Sequence, residues 1–380
     1  MAENRKNVNH RQNGRPISKK AARARKKKRK MIILIIELLV LLIVLAGLWV
    51  MLKLSKINED RNFDENKVKN ENLTEDTQDL LGNYDTIALF GLDNRSNGNY
   101  DSGNSDVMMI ARIDKETKEV KLVSIYRDTY LNMVDDENED TYSKANAAYA
   151  VGGPDQAVRM LNTNWDLNIT DYVAFDFNAV ATAIDILGGV EIELSQREAN
   201  DMRGYQDEIA EMMNKDTEYI ESPGTYNLDG IQATSYGRLR YVGNGDFERT
   251  ERQRLVLSKM IEKALASDVG KVNKLIDTIF PEIKTSLSKT DMLGLASSAF
   301  SYHLGDTMGF PTDYKTTTLK INYIKPKQDC IIPADLASNV KQLHEFLYGV
   351  TDYTITPSVQ NISDTIVNNT GITSKKEPVE

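Results

Sequence analysis

A short stretch near the middle of the chain is rich in arginine. Residues 236–254 read YGRLRYVGNGDFERTERQR and hold five arginines and no lysine, in a chain of 380 residues whose formal net charge is −9. A planar guanidinium group binds two phosphate oxygens at once, whereas the lysine ammonium acts as a compact point charge. The stretch therefore predicts a phosphate-binding site and favours a diphosphate.

The spacing within this stretch separates its arginines into groups. Arg249 and Gln253 continue the apolar face of a helical pattern, RQRLVLSKMIEKALA, whose apolar residues follow at i+7, i+11 and i+15. Two polar side chains are thus expected to point inward at a helix N-terminus, where free N–H groups favour an anion. Arg252 and Arg254 point elsewhere and are expected on the surface.

Arg238 and Arg240 are two residues apart. This spacing places both side chains on one side only if the backbone is extended, and the neighbouring Gly237 weakens a helix. We therefore expect the two guanidinium groups to project together from an extended segment.

A second polar group lies where predicted strands begin or end, and it comprises Asp93, Arg95, Asp106, Arg127 and Asp128. If the first strand runs parallel to the third, these residues gather along one rim of the sheet. Two carboxylates facing arginines suit a site shared by an anion and a divalent cation, with Asp93 and Asp106 as hard ligands for Mg²⁺. An ion-pair network without a ligand is the alternative interpretation.

The elements that must position these residues are a mixture of strands and helices. DTIALFGL, VMMIARID, EVKLVSIY and VEIELS are typical of strands, and DKETK joins the second to the third as a hairpin. Helical patterns follow at GPDQAVRMLN, NAVATAIDILGG and the arginine-bearing segment. The sequence predicts an α/β or α+β domain with helices covering a sheet.

Other chemistries lack the residues they need. The only histidines are His10, His303 and His344, and neither a Ser-His-Asp set nor a zinc-ligand spacing is visible. There is no GxxxxGK[ST] motif, and Cys330 is the single cysteine, so no internal disulfide is possible.

The N-terminal part predicts a membrane anchor. Residues 1–30 hold thirteen Lys or Arg and one acid, and residues 31–52 are apolar with a single charge. We predict a single-pass protein of the cell membrane, with a basic cytoplasmic tail, one transmembrane helix and the rest of the chain outside the cell. No nucleic-acid partner is expected. Residues 53–80 are expected to be a polar stem, 81–350 the catalytic domain, and 351–380 a flexible tail.

A phosphate group at the outer membrane face is expected to arrive on a lipid carrier. At this point the chain resembles the LytR-CpsA-Psr family of bacterial envelope enzymes. The resemblance rests on FGLDNR, SDVMMIARID, LVSIYRDTY, KANAAYAVGG, LGGVEIEL, LDGIQATSYGRLR and GDFERTERQR, which cover roughly residues 85–265 in the family's order.

The resemblance implies a fold, a reaction and a set of site residues. The fold would be a mainly antiparallel central sheet flanked by helices, with an apolar pocket for a polyprenyl chain. The reaction would transfer a glycopolymer, such as wall teichoic acid or capsule, from a polyprenyl diphosphate to peptidoglycan through a phosphodiester. The metal, Mg²⁺ or Mn²⁺, would bind Asp93 and Asp106, and the diphosphate would contact Arg95, Arg127, Arg238, Arg240, Arg249 and Gln253. Catalysis would rest on Asp93, Arg127, Arg238 and Arg240.

Two positions depart from the family's pattern, and several questions stay open. Tyr126 stands where the family often has Pro, and Asn104 where it often has Arg. The general base could be Asp93, Asp128 or Asp246. A hydrolase of the same lipid diphosphate and a non-enzymatic regulator are the alternative functions. The sequence does not identify the polymer or the oligomeric state.

Overall fold

A computed structural model describes residues 27, 31, 41, 44, 48, 51–92, 100, 103–135, 141–243, 245–321 and 326–373. The chain forms two compact units, Met1–Ser55 and Lys56–Glu380, and the second unit contains every element discussed below. Among the described residues there is no helix of the length and apolarity that a membrane crossing requires. The predicted span at 31–52 and the basic tail at 1–30 lie mostly outside those residues.

The second unit alternates strands and helices. Its strands are β1 (Asn58–Glu59), β2 (Tyr84–Leu92), β3 (Ser105–Asp114), β4 (Glu119–Ile125), β5 (Tyr130–Asn132), β6 (Tyr142–Lys144), β7 (Asp171–Asp176), β8 (Val190–Leu194), β9 (Gly224–Leu228), β10 (Lys284–Thr285), β11 (His303–Phe310), β12 (Tyr314–Leu319) and β13 (Gln328–Pro333). Its α-helices are α1 (Glu65–Val68), α2 (Glu75–Leu81), α3 (Ala147–Trp165), α4 (Phe177–Leu187), α5 (Gln196–Met213), α6 (Gly230–Arg238), α7 (Asp246–Leu265), α8 (Val269–Ile279), α9 (Lys289–Ser297), α10 (Leu336–Tyr348) and α11 (Pro357–Thr370).

The central sheet runs in the order β1-β10-β7-β2-β3-β4-β11 in the described part of the chain. Its centre is antiparallel, since β3 pairs in that sense with both β2 and β4. The pairs β2–β7 and β4–β11 on either side are parallel. The predicted hairpin, the parallel relation of β2 to β4 and the α/β class with an antiparallel centre flanked by helices are confirmed.

Alternation along β3 divides the interior into two layers. Met108 and Ile110 join the main core, which also contains apolar residues of α3, α10 and α11. Val107 and Met109 point to the other face and line a cavity with residues of α4, α6 and α7. The sheet therefore lies between two helical layers, because side chains of a strand alternate between its faces.

A β-bulge interrupts this alternation where β3 begins. Val107 pairs with Gly91 and Ser105 pairs with Leu92, so Asp106 has no partner residue on β2. A bulge leaves one extra residue in a strand and redirects its side chain. Asp106 thereby turns away from the apolar core face shared by Met108 and Ile110 and lines a polar pocket instead.

Local signals set the starts of the helices around that pocket. Asp176, the last residue of β7, caps α4 by accepting a hydrogen bond from the Ala179 N–H. Asp229 and Gln232 form a reciprocal capping box at α6. Gly245 precedes α7 with φ of 65°, a conformation that favours glycine, so Asp246 becomes the first helical residue.

Residues 56–80 differ from the predicted solvated stem. β1 pairs with β10, α1 buries Val68 completely, and Leu73 is 6% exposed. Both side chains belong to the main core. The prediction failed because a polar segment needs only one apolar residue per short helix to dock on a neighbouring core, and composition alone does not reveal this.

The C-terminal segment also differs from the predicted flexible tail at 351–380. Helix α11 begins at Pro357 after an N-cap at Thr356 and buries Val359, Ile362 and Ile366 against the main core. Each such side chain contributes roughly 1.5–3 kcal/mol on burial. The folded unit thus extends past both ends of the predicted domain at 81–350.

The close approach of α6 to α4 gives a first prediction. A Cβ on Gly230 would lie 2.0 Å from the backbone oxygen of Ala181. We expect Gly230→Ala to lower the free energy of unfolding by roughly 1–3 kcal/mol, because backbone atoms cannot move aside as a flexible side chain can. Chemical denaturation of the full chain measures this change.

The control is Gly204→Ala within α5, where nothing lies within 4 Å of the added Cβ. That substitution is expected to raise stability by up to about 1 kcal/mol, since alanine favours a helix interior over glycine. Equal effects of the two substitutions would contradict the close-approach argument.

Candidate functional site

A polar pocket lies where β3 begins, between the C-terminus of α6 and the N-terminus of α7. Its volume is about 170 Å³. It is lined by Asp106, Phe177, Tyr205, Arg238, Arg240, Tyr241, Arg249 and Gln253. The fold therefore brings together most of the predicted diphosphate contacts. We call this site the arginine pocket.

The Asp246 carboxylate connects several of the arginines. Its Oδ2 lies 3.2 Å from Nη2 of Arg127, and its Oδ1 lies 3.4 Å from Nη1 of Arg249. Arg240 Nε is 4.0 Å from the same Oδ1. Arg127 also donates from Nη1 to Oδ1 of Asp106 at 2.5 Å. The hairpin thus places Asp106 beside Arg127 as its geometry predicts.

The buried guanidinium group of Arg249 is only partly paired. The residue is 3% exposed, and its Nε and Nη2 have no hydrogen-bond partner within the described residues. Burial and the positive charge of Arg127 lower the pKa of Arg249 to about 10, so the group stays protonated at neutral pH. Buried donors without acceptors are costly, which indicates a site built for an anionic ligand.

Arg238 is the last residue of α6 rather than part of an extended segment. The capping box at Asp229 and the burial of α6 outweigh the weak helix propensity of Gly237. Leu239 then leaves the helix, so Arg240 still reaches the same pocket. The predicted proximity of Arg238 and Arg240 is confirmed, but the predicted backbone is wrong.

The Arg238 guanidinium is held by an acid and two rings. Its Nη1 lies 3.2 Å from Oε2 of Glu208, and its Cζ is 4.9 Å from the ring centre of Phe177 and 5.7 Å from that of Tyr205. Sequence reasoning missed these three partners, because they come from α4 and α5 and share no spacing with Arg238. Only the position of Phe177, at a strand-to-helix junction, could have drawn attention to it.

Two carboxyl groups share a hydrogen bond beside Arg127. Burial and the hydrogen bond to Asp246 raise the pKa of Asp128, which Lys144 contacts at 3.1 Å. Burial also acts to raise the pKa of Asp246, but the charges of Arg249 and Arg127 outweigh it and the pKa is lowered. Asp246 therefore loses its proton at a lower pH than Asp128 does.

Arg252 and Arg254 do not lie on the surface as predicted. Arg252 is 4% exposed, pairs with Glu198 at 3.0 Å, and donates to the backbone oxygens of Leu239 and Val242. Arg254 donates to Thr307, and its side chain is 12% exposed. Arg252 thus fixes the α6–α7 connection, a structural role that helical spacing alone does not distinguish from solvation.

The proposed metal ligands are only partly described. Asp93 and Arg95 lie outside the described residues. The described part of the chain contains no cluster of three or more metal-ligating side chains. Asp106 does present a hard carboxylate at the wall of the arginine pocket, and Mg²⁺ typically takes one or two carboxylates plus phosphate oxygens. Asp106 is thus one carboxylate of the kind that such an ion takes.

An apolar cavity adjoins the arginine pocket. It is lined by Val107, Met109, Phe175, Phe177, Val180, Ala233, Thr234, Gly237, Gln253, Val256, Leu257 and Met260, with a volume of about 50 Å³. Phe177 and Gln253 line both sites. Helix α4 contributes Phe177 and Val180 to the cavity.

These features define a class of α/β protein in which an arginine-lined pocket lies beside an apolar cavity. The LytR_cpsA_psr family matches residues 49–310, which is more than half of the chain. The chain therefore belongs to the LytR_cpsA_psr family, and the predicted resemblance is confirmed.

Two curated relatives show how the family's members are named. The chain is 30% identical over 213 residues to the polyisoprenyl-teichoic acid–peptidoglycan teichoic acid transferase TagU of Enterococcus faecalis, covering 56% of this chain and 64% of that one. It is also 30% identical to biofilm regulatory protein A of Streptococcus mutans, covering 53% and 50%. The matches thus span less than two thirds of either relative.

Solved structures share the fold. The LytR-CPS2A-psr family protein YwtF (TagT) with bound octaprenyl pyrophosphate lipid superposes with a TM-score of 0.52 at 21% identity, covering 74% of this chain and 97% of that one. At this identity the likeness establishes the fold.

The contrast between Arg249 and Arg252 gives a second prediction. Arg249→Met removes unpaired buried donors, so the free energy of unfolding should stay unchanged or rise. Arg252→Met leaves Glu198 and two carbonyl oxygens without their donor and should lower it by about 3–5 kcal/mol. Denaturant titrations of the full chain compare the two variants.

The same variants are then titrated with inorganic diphosphate by calorimetry. Arg249→Met should raise the Kd at least about tenfold, because a hydrogen bond to a charged group contributes ~1.5–3 kcal/mol. Folded Arg252→Met should retain the wild-type Kd. A destabilised Arg249→Met with normal diphosphate binding would show that Arg249 is structural.

Proposed function

We propose that this protein is a membrane-anchored phosphotransferase. It moves a glycopolymer from a polyprenyl diphosphate carrier to peptidoglycan muramic acid through a phosphodiester. The observation that carries the proposal is the shared wall of the two sites: Phe177 and Gln253 line both the arginine pocket and the apolar cavity. A ligand with a diphosphate at one end and a hydrocarbon chain at the other matches this arrangement.

The lipid chain would occupy the apolar cavity. The octaprenyl pyrophosphate bound to YwtF is a molecule of this chemistry. The cavity volume of about 50 Å³ is far smaller than a polyprenyl chain. Helices α4, α6 and α7 must therefore separate when the lipid enters. Their contact depends partly on the small residues Ala233 and Gly237.

The arginines would act on the transferred phosphoryl group. An acceptor sugar hydroxyl attacks the phosphorus that bears the glycan, a new P–O bond forms, and the bond to the bridging oxygen of the polyprenyl phosphate breaks. Arg238, Arg240 and Arg249 neutralise the oxygens on which charge develops, and Arg127 keeps Asp106 and Asp246 in position. Positioning and charge supply most of the rate enhancement in such a reaction.

A divalent ion, Mg²⁺ or Mn²⁺, belongs to the proposal. Asp106 at the pocket wall and Asp93, which follows β2 directly in the sequence, would hold it. When bound, the ion would supply further positive charge to the diphosphate oxygens. Arg127 fixes the Asp106 carboxylate that would share this role.

Asp246 is the proposed acceptor of the hydroxyl proton. Its carboxylate lies at the N-terminus of α7 beside Arg249, one of the proposed phosphate-binding arginines. Because the charges of Arg249 and Arg127 lower its pKa, Asp246 stays ionised at neutral pH. It is therefore a weak base that must be held close to the hydroxyl.

The polymer and the anchor complete the proposal. The name of the Enterococcus relative makes a teichoic acid the first polymer to test, with capsule as the second. Residues 31–52 would anchor the enzyme, with the folded unit outside the membrane.

The third prediction concerns the transfer reaction itself. The full chain in detergent micelles is mixed with a synthetic polyprenyl diphosphate glycan, peptidoglycan oligomers and Mg²⁺, and the products are identified by mass spectrometry. We expect a glycan joined to muramic acid through one phosphate, lost with EDTA. Arg238→Ala should lower the rate at least about a hundredfold, since it removes a donor to the developing charge.

Arg203→Ala is the matched control, because Arg203 is exposed on α5 and its Cζ lies over the Tyr219 ring at 4.4 Å. Its rate should equal that of the wild type. Free glycan phosphate as the sole product would favour the hydrolase. Unchanged substrate would favour the regulator, a role that the name of the Streptococcus relative suggests for that protein.

The fourth prediction concerns the pH dependence of transfer. If Asp246 is the base, the rate falls as pH drops through its pKa, which lies below the ordinary aspartate value. Asp128→Ala removes a hydrogen bond that lowers this pKa, so the acid limb of the pH profile should move to higher pH. Asp128→Asn retains a donor and should leave the limb nearly in place. Identical limbs in all three proteins would exclude Asp246.

A further inference from the structure

Three aromatic rings meet beside the arginine pocket and are assigned no role by the proposed transfer. Tyr126, Phe247 and Tyr314 form what we call the aromatic cluster. Phe247 stacks on Tyr314 with ring centres 4.6 Å apart and planes 16° apart. Tyr126 meets both edge-on, at 4.8 Å from Phe247 and 5.6 Å from Tyr314. The three rings hold one another in a fixed arrangement.

The aromatic cluster is half-buried rather than part of a core. All three residues are of intermediate exposure, and none belongs to the buried apolar clusters found in the described residues. The Tyr126 hydroxyl lies against Gly309, where a Cβ would approach it at 2.5 Å. Tyr126 thus lies between Gly309 and the stacked pair and supports that pair. Phe247 and Tyr314 each keep part of their surface in contact with solvent.

Chain connectivity ties the aromatic cluster to the reacting groups. Tyr126 immediately precedes Arg127, and Phe247 immediately follows Asp246. The third ring, Tyr314, is connected through β13. Ile331 on this strand donates its N–H to the backbone oxygen of Asp128, and Pro333 pairs with Tyr314 on β12. The cluster is therefore anchored at the residues that carry the proposed base and its partner.

The geometry of α7 places the aromatic cluster on a different side from the phosphate ligands. At about 100° per residue, Asp246, Arg249 and Gln253 fall within about 60° of one another around the helix, whereas Phe247 is displaced by about 100° from Asp246. In agreement, none of the three rings lines the arginine pocket or the apolar cavity. Asp246 contacts Arg249 on the first side and immediately precedes Phe247 on the second.

In-line phosphoryl transfer requires different substrate groups on the two sides of α7. The nucleophile and the leaving group must lie on opposite sides of the phosphorus. The polyprenyl phosphate leaves on the side of Gln253 and the apolar cavity. The acceptor sugar must then approach from the other side of Asp246, where the aromatic cluster lies.

We propose that the Phe247–Tyr314 pair, supported by Tyr126, is the platform on which the acceptor sugar ring of the peptidoglycan strand stacks. This inference rests on the proposed transferase function. The C–H groups on one face of a pyranose ring are apolar and slightly positive, and they pack on the negative face of an aromatic ring. A sugar held in this way presents its hydroxyl groups at its rim, toward the Asp246 carboxylate.

The test separates stacking from simple packing in the full chain. Phe247→Leu and Tyr314→Leu retain apolar bulk but lose the aromatic face, and Phe247→Trp restores one. Phe300→Leu is the control, because Phe300 is 68% exposed and lies outside both sites. Thermal unfolding first verifies that every variant is folded. The probe is the N-acetylglucosamine–N-acetylmuramic acid disaccharide, and its Kd is measured by saturation-transfer NMR titration.

We expect Phe247→Leu and Tyr314→Leu to raise the Kd for the disaccharide about fivefold to tenfold, in the range of an aromatic contact. Phe247→Trp and Phe300→Leu should bind as the wild type does, and the Kd for inorganic diphosphate should not change. An unchanged disaccharide Kd in both leucine variants, or an equal rise in the diphosphate Kd, would overturn the platform. No binding of the disaccharide to the wild type would overturn it as well.

These binding measurements need no turnover, so they are independent of the transfer assay. Disaccharide binding that depends on Phe247, combined with no transfer to peptidoglycan, would reject the transferase and retain the sugar platform. Transfer that is equally fast in Phe247→Leu and wild type at limiting acceptor would reject the platform and retain the transferase.

Discussion

Attraction between the Asp246 carboxylate and the surrounding guanidinium groups organises the site. Arg127 follows β4, Arg240 lies in the α6–α7 connection and Arg249 lies in the first turn of α7. These groups would repel one another without the carboxylate between them. Asp246 and Asp106 are two carboxylates for three arginines, which leaves an excess of positive charge in a partly buried place. That excess is what an anionic ligand neutralises.

The two neighbouring sites depend on the same packing. Helices α4, α6 and α7 enclose the apolar cavity, and the ends of the same helices supply Phe177, Arg238 and Arg249 to the arginine pocket. Any movement that widens the cavity therefore also moves the groups that line the arginine pocket. In the proposed function, this shared packing would couple lipid entry to assembly of the phosphate site.

Arg249 and Arg252 show how differently one helix uses the same side chain. Both are almost fully buried, three residues apart on α7. Arg252 is matched by two carboxylates and two backbone oxygens, and so it joins α7 to α5 and to the chain that leaves α6. Arg249 retains donors without partners in the described structure. Complete pairing is typical of a structural role, and incomplete pairing of a ligand site.

The sequence alone determined the α/β class, the β3–β4 hairpin and the convergence of Asp106 with Arg127, because strand alternation and hairpin register are local properties. It also determined that Arg249 and Gln253 face inward, since helical spacing is local too. Tertiary structure alone decided that Arg252 is buried, that Phe177 and Tyr205 flank Arg238, and that residues 56–80 and α11 belong to the folded unit. Each of these outcomes depends on which distant element lies opposite a side chain, and residue spacing carries no information about that.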